Sequence, residues 1–263
     1  MFRNEFPRGY ELRDQIKSQD SLNPFWKDLD ETFQNPIMGP GKRRKFRPIE
    51  AALQSLDSGA WEFLKNKVAN LLAKWDEKNA RGQQQLIDIL NEAFAYSFLK
   101  SEVGCSDIKF IPQSDINGKE TPDLEGRLGH IKVISEVKTI NISDDEALIR
   151  REMSLRFRPR CGQPSCKLEE AFFEQKLSKP LKKAKDQIQS YDPSNEARHI
   201  VYIIPNFDDM WETQKEEYFQ QIDDFLYNNM INGIEIVFHN RRSVSNEIIT
   251  MKNAIVFNEP EYL

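Results

Sequence analysis

Cysteine is scarce. Cys105, Cys161 and Cys166 are an odd set in 263 residues, so no disulfide framework is expected and the thiols should be reduced. The C-x4-C spacing of Cys161 and Cys166 lacks the second pair that structural zinc needs. Histidine is equally sparse, and His130, His199 and His239 show neither HxH nor HExxH spacing. Each lies at a strand end and is expected in a hydrogen-bonded structural role. No run of about 18 apolar residues is present, and the start, MFRNEFPRGYELRDQ, lacks an apolar signal core, so a cytoplasmic protein without a membrane span is expected. There is no G-x-S-x-G and no glycine-rich phosphate loop, which argues against serine hydrolases and ATPases of those types. Nor is there an aromatic-glycine repeat for sequence-specific RNA readout. Charge of one sign is also lacking: 37 basic against 42 acidic residues leave a formal charge of -5. This excludes a constitutive polyanion binder of the histone kind and confines any nucleic-acid contact to segregated basic patches.

What is present is a chain 39% hydrophobic and 30% charged, with 17 Phe, enough for a real core and unlike disordered or low-complexity sequences. Residues 1–80 read as a helical N-terminal extension. Pro24, Pro36, Gly39, Pro40 and Gly41 make its early part loop-like. The basic run KRRKFR (42–47) follows. Helical spacing appears over Ile49–Leu56 and in Trp61, Leu64, Val68, Leu72 and Trp75, which are core stripes. Residues 81–263 read as a second, α/β domain. A helix runs from Gly82 to about Lys100, with Glu92 on its flank beside Ile89 and Tyr96. Extended runs follow at 108–112, 121–126 and 131–140. A polar, Arg-rich connection leads to a helix over about 167–191, which Pro180 should break or restart. Strands are expected at 199–205, 234–239 and 253–257, with a helix at about 211–230 before the second of these. The fold class implied is α/β, a central mixed sheet with helices on both faces.

Chemistry is concentrated in Thr121-Pro122-Asp123 and Glu136-Val137-Lys138. Alternate strand residues share a face, so Glu136 and Lys138 point together while Ile131, Val133 and Val137 point into apolar packing. A tight turn centred on Leu128-Gly129 would set Asp123 opposite Ile134, making it the diagonal neighbour of Glu136 at roughly 7 to 8 Å between backbones. A slip of one residue would turn Asp123 away. Two converging carboxylates repel unless a cation lies between them. All-oxygen donors point to Mg²⁺, with Mn²⁺ as substitute, and to phosphodiester hydrolysis. Asp123 and Glu136 are the expected ligands, with the Val137 carbonyl completing the set and Glu125 as an alternative donor. Lys138 would orient or stabilise the attacking hydroxide. A solvated acidic hairpin is the plainer alternative for these residues.

These half-motifs, Pro122-Asp123 and Glu136-Val137-Lys138, resemble those of the PD-(D/E)XK nuclease superfamily, whose restriction-endonuclease-like core runs helix, three strands, helix, strand. The resemblance covers about Gln83 to Pro205. It implies a Mg²⁺-dependent endodeoxyribonuclease, with DNA as substrate. It also implies that Glu92, on the helix before the sheet, joins the metal shell. Gln187-Ile188-Gln189-Ser190-Tyr191 is similar to the QxxxY motif of nuclease domains fused to recombination helicases, so Gln187 and Tyr191 are further expected site residues. Being i and i+4, they share a helix face.

Arg150, Arg151, Arg156, Arg158 and Arg160 in the connection, with Lys182, Lys183 and Lys185 on the next helix, form the expected phosphate-binding patch. The same arginines could instead pair with Asp144, Asp145, Glu146 and Glu152. KRRKFR could clamp the nucleic acid from another side. Each proposed centre cuts one strand, so a double-strand cut would call for a homodimer. RNA as substrate stays open. The rival from another class is a catalytically inactive nuclease-fold module for nucleic-acid binding or assembly.

Overall fold

Helix α1 (Phe2–Glu5) and helix α2 (Pro7–Ser18) open the chain, followed by α3 (Leu29–Gln34), α4 (Gly39–Ser55) and α5 (Ser58–Ala73). The computed structural model describes residues 2–18, 29–37, 39–73, 82–114, 120–141, 170–206, 233–240, 250–251 and 254–258, together with residues 220, 222, 224, 225 and 227, which are helical. Gly39, Pro40 and Gly41, expected to interrupt helix, instead begin α4. The physical reason is that a first turn needs no donor from proline and gains from its fixed φ. A Cβ at Gly39 would lie 2.4 Å from the Phe33 carbonyl oxygen, so this close approach requires glycine. KRRKFR lies within α4.

The first turn of α2 is capped from outside. Glu50 of α4 accepts the backbone N–H of Arg8 at 3.0 Å and of Gly9 at 2.8 Å, satisfying two amides that a helix start leaves without intrahelical partners. Phe6, Phe33 and Phe46 close over one another with centroids 4.9 to 5.7 Å apart. Within KRRKFR, Arg43 bonds the Phe33 carbonyl and Arg47 pairs with Glu5 at 2.9 Å. Helix α5 is capped by Asp57, whose Oδ1 accepts the Ala60 N–H at 2.8 Å. The other oxygen of Asp57 accepts the Tyr96 hydroxyl at 3.0 Å, which ties in helix α6 (Gly82–Ser101).

Strands β1 (Ser106–Phe110), β2 (Leu124–Leu128) and β3 (Ile131–Asn141) form an antiparallel meander. Phe110 of β1 stacks on Phe63 of α5 at 5.3 Å and lies 6.0 Å from the Tyr96 ring of α6. These helices thereby pack onto the meander through aromatic faces. Helix α7 (Glu170–Tyr191) leads to β4 (Arg198–Asn206), β5 (Ile234–Asn240), β6 (Thr250–Met251) and β7 (Ala254–Asn258). The strand order is β1-β2-β3-β4-β5-β7-β6. Strand β7 runs parallel to β5 and antiparallel to β6, so the sheet is mixed and the chain is mixed α/β. The strand expected at 253–257 is thus present.

Three further details depart from the sequence expectations. The β2-β3 turn is Gly129-His130, with Glu125 rather than Asp123 opposite Ile134 and Leu124 opposite Ser135. The register is offset by two residues, which keeps every side chain on its expected face. Gly129, at φ 61°, supplies the left-handed turn geometry. Ile131 is not in apolar packing but 40% exposed at the start of β3. Pro180 does not break α7, which runs through it. Leu177, Leu181, Ala184 and Ile188 are all buried at helical spacing, and this packed stripe offsets the lost hydrogen bond.

By contacts the chain divides into two compact units. One comprises Met1–Val137, Gln187–Ile200 and Pro260–Leu263; the other comprises Lys138–Asp186 and Val201–Glu259. The N-terminal helices therefore share a unit with β1 and β2. Among the described residues, no helix is long and apolar enough to cross a membrane.

Candidate active site

Strand β3 is buried on both sides at its centre: Val133, Ile134, Ser135 and Glu136 are all nearly inaccessible. Glu136, at 2% exposure, is a carboxyl in the protein interior, an arrangement that costs free energy unless charge or hydrogen bonds compensate. Asp123 lies one residue before β2, and continuing the β2-β3 register from Leu124 and Ser135 leads from Asp123 to Glu136. Its Oδ2 accepts the backbone N–H of Val137 at 2.8 Å. Its own carbonyl accepts the Ile111 N–H at 2.9 Å. Asp123 is thus held by backbone on both sides.

Glu92 of α6 joins this pair and brings a residue that sequence reasoning missed. Lys67 of α5 donates to both Glu92 oxygens, at 2.6 and 2.8 Å. Burial and the charge of Asp123 push the Glu92 carboxyl up to about 8, against the pull of Lys67. Burial works to lower the Lys67 ammonium, but the charges of Glu92, Asp123 and Glu136 together raise it. The charge of Asp123 acts on both groups, raising the Glu92 carboxyl and the Lys67 ammonium alike. In the sequence Lys67 is only a polar residue beside the Leu64 and Val68 stripe. Its partner lies 25 positions away, so no local pattern could announce the pair.

A neighbouring acid, Glu125, has a different environment. Lys109 and Lys132 each approach its carboxylate at 2.8 Å, and the Tyr191 hydroxyl donates to Oε2 at 2.9 Å. Lys132 also lies 4.7 Å from the Tyr191 ring centroid. Burial would raise the Glu125 carboxyl, but hydrogen bonds from Lys109, Lys132 and Tyr191 bring it down to about 2. Both Glu125 oxygens are thus engaged by these three partners. Tyr191 binds this carboxylate, and the Gln187 amide donates to the Thr121 carbonyl at 3.4 Å. Both therefore brace the segment that carries Asp123. Lys109 and Lys132 were legible only once the strands were paired, since Lys109 stands opposite Glu125.

Lys138 follows two residues after Glu136 in β3 and is half-buried. Lys182, Lys183 and Lys185 lie on α7, the first two exposed. Arg150, Arg151, Arg156, Arg158 and Arg160 lie outside the described residues, as do Cys161, Cys166 and the acids Asp144, Asp145, Glu146 and Glu152. His199 bonds Asp192 at 2.9 Å and His239 bonds Tyr202, structural roles in both cases.

The donors of Asp123, Glu136 and Glu92 are all oxygen, which is the chemistry a hard divalent ion takes. Among the described residues, however, no group of three or more His, Cys, Asp or Glu is already arranged as a metal cage. No family model, curated protein or solved structure matches the chain.

Proposed function

We propose that the protein is a metal-dependent nuclease of the PD-(D/E)XK type, with a restriction-endonuclease-like core, that hydrolyses phosphodiester bonds in DNA. The observation that carries this reading is the hydrogen bond from Val137 N–H to Asp123. It joins the two half-motifs beside the buried Glu136, while the Asp123 charge acts on Glu92. Asp123, Glu136 and Glu92, with the Val137 carbonyl, would hold Mg²⁺ or Mn²⁺. When bound, the ion supplies an acidified water and positive charge toward the scissile phosphate. Lys138 orients the attacking oxygen and stabilises charge developing on it. Gln187 and Tyr191 act from behind, through Thr121 and Glu125, to fix the Asp123 segment. Lys182 and Lys183, with the arginines of 150–160, contact the phosphate backbone and position it without reading sequence.

The test is incubation of supercoiled plasmid with pure protein and Mg²⁺ or Mn²⁺, beside Asp123→Ala and Glu136→Ala. Nicking by wild type and none by either variant is expected. Nicking that survives both substitutions would reject this site. A second reading, a non-catalytic nucleic-acid-binding module, is favoured by one observation: Lys67 already occupies both oxygens of Glu92. Retention of DNA without cleavage under any divalent ion would support it.

A further inference from the structure

Lys67 belongs to neither half-motif, yet its ammonium donates to both oxygens of Glu92, at 2.6 and 2.8 Å. Its place on α5 flanks the buried Trp61, Leu64, Val68 and Leu72, so its stem can lie along apolar surface while its head reaches inward. The Glu92 side chain that receives it is 9% exposed. An ion pair that merely served packing would balance its charges. Here Glu92, Asp123 and Glu136 all act on one ammonium.

We infer that Lys67 is a positioning residue that serves as counter-ion to the acid cluster, fixing Glu92 and giving it up when a divalent cation binds. The inference rests on the proposed metal site but makes a separate claim about it: the ammonium and the metal compete for the same carboxylate. Removing the ammonium should therefore strengthen metal binding, although it weakens the protein on its own. A purely structural lysine would do the second and not the first.

Mn²⁺ binding to wild type, Lys67→Gln, Lys67→Met and Lys67→Arg, followed through the free-ion paramagnetic resonance signal, tests this directly. Both neutral variants should bind Mn²⁺ at least about tenfold more tightly, because a like charge has left the site, whereas Lys67→Arg should stay near wild type. Melting curves should agree, since tighter binding to the folded state raises stability more. Saturating Mn²⁺ should thus recover most of the Tm lost by Lys67→Gln. If wild type binds Mn²⁺ and the neutral variants bind it equally or less well, the counter-ion role is overturned while the nuclease reading stands. If no protein binds Mn²⁺, both fall. Should the neutral variants not fold, the ¹⁵N signal of the Lys67 ammonium in wild type, identified by its loss in Lys67→Arg, provides the measurement. It should shift on Mg²⁺ addition, and a signal unmoved at 10 mM or any higher Mg²⁺ overturns the inference.

Discussion

The Asp123 carboxylate accepts the backbone N–H of Val137 at 2.8 Å. The residue that donates thus lies between Glu136 and Lys138, so one hydrogen bond couples the two short motifs that carry the proposed chemistry. An anionic acceptor makes this bond stronger than its neutral counterpart.

Asp123→Asn separates the charge of this residue from its bond. The amide oxygen can still accept from Val137, so the far-ultraviolet spectrum should be unchanged and Tm should stay within about 2 °C of wild type, the scale of less than 1 kcal/mol. Cleavage should fall by at least about 100-fold, the typical cost of one charge-stabilising group. Melting curves beside a plasmid-nicking assay check both halves.

Lys138→Met should remove cleavage by a comparable factor of about 100 while leaving Mn²⁺ affinity at or above the wild-type value, because the lysine is not a metal donor. Parallel Mn²⁺ titration and single-turnover cleavage distinguish this from loss of the metal site, which would reduce both.

Glu125 confers an acid limit on stability. Its folded carboxyl is depressed to about 2, below the usual value near 4.3, so its contribution is present above that ordinary value and is lost as pH falls toward 2. Lys109 and Lys132 are well exposed, so solvent screening keeps the contribution of the network small. Glu125→Gln should therefore lower Tm by about 2–4 °C at pH 7, with the difference from wild type vanishing near pH 2. A difference that persisted unchanged over that interval would contradict the assignment. Tyr191→Phe should reproduce a smaller part of the same loss.

Gly9 and Glu50 set the α2-α4 contact. A Cβ at Gly9 would lie 2.7 Å from Phe46 Cε1, and Gly9→Ala should cost about 1–3 kcal/mol by overpacking. Glu50→Ala removes the acceptor of the Arg8 and Gly9 amides and should cost a similar amount, about 1–3 kcal/mol. Denaturant unfolding gives both values, and the two effects should be non-additive because the groups meet.

Periodicity sufficed for the elements that bury one face. The stripe Trp61, Leu64, Val68 and Leu72 is buried as the helical spacing required, and the strand runs near 131, 199, 234 and 253 are all strands. Local chemistry misled where a tertiary partner intervened. Gly39 and Pro40 signalled a loop, but packing against Phe33 turned them into a helix start. Pro180 signalled a break, but the buried face of α7 holds the helix together.

The sequence by itself determined that Glu136 and Lys138 lie on one strand of a hairpin, because strand alternation depends only on neighbouring residues; Asp123, expected in the preceding strand, lies just before it. Tertiary structure alone decided the rest: which register pairs Glu125 with Ile134, that Glu125 is taken by two lysines and a tyrosine, and that Lys67 reaches Glu92. A charge acts through space, whereas sequence spacing reports distance along the chain, and for Lys67 and Glu92 folding makes the two entirely different.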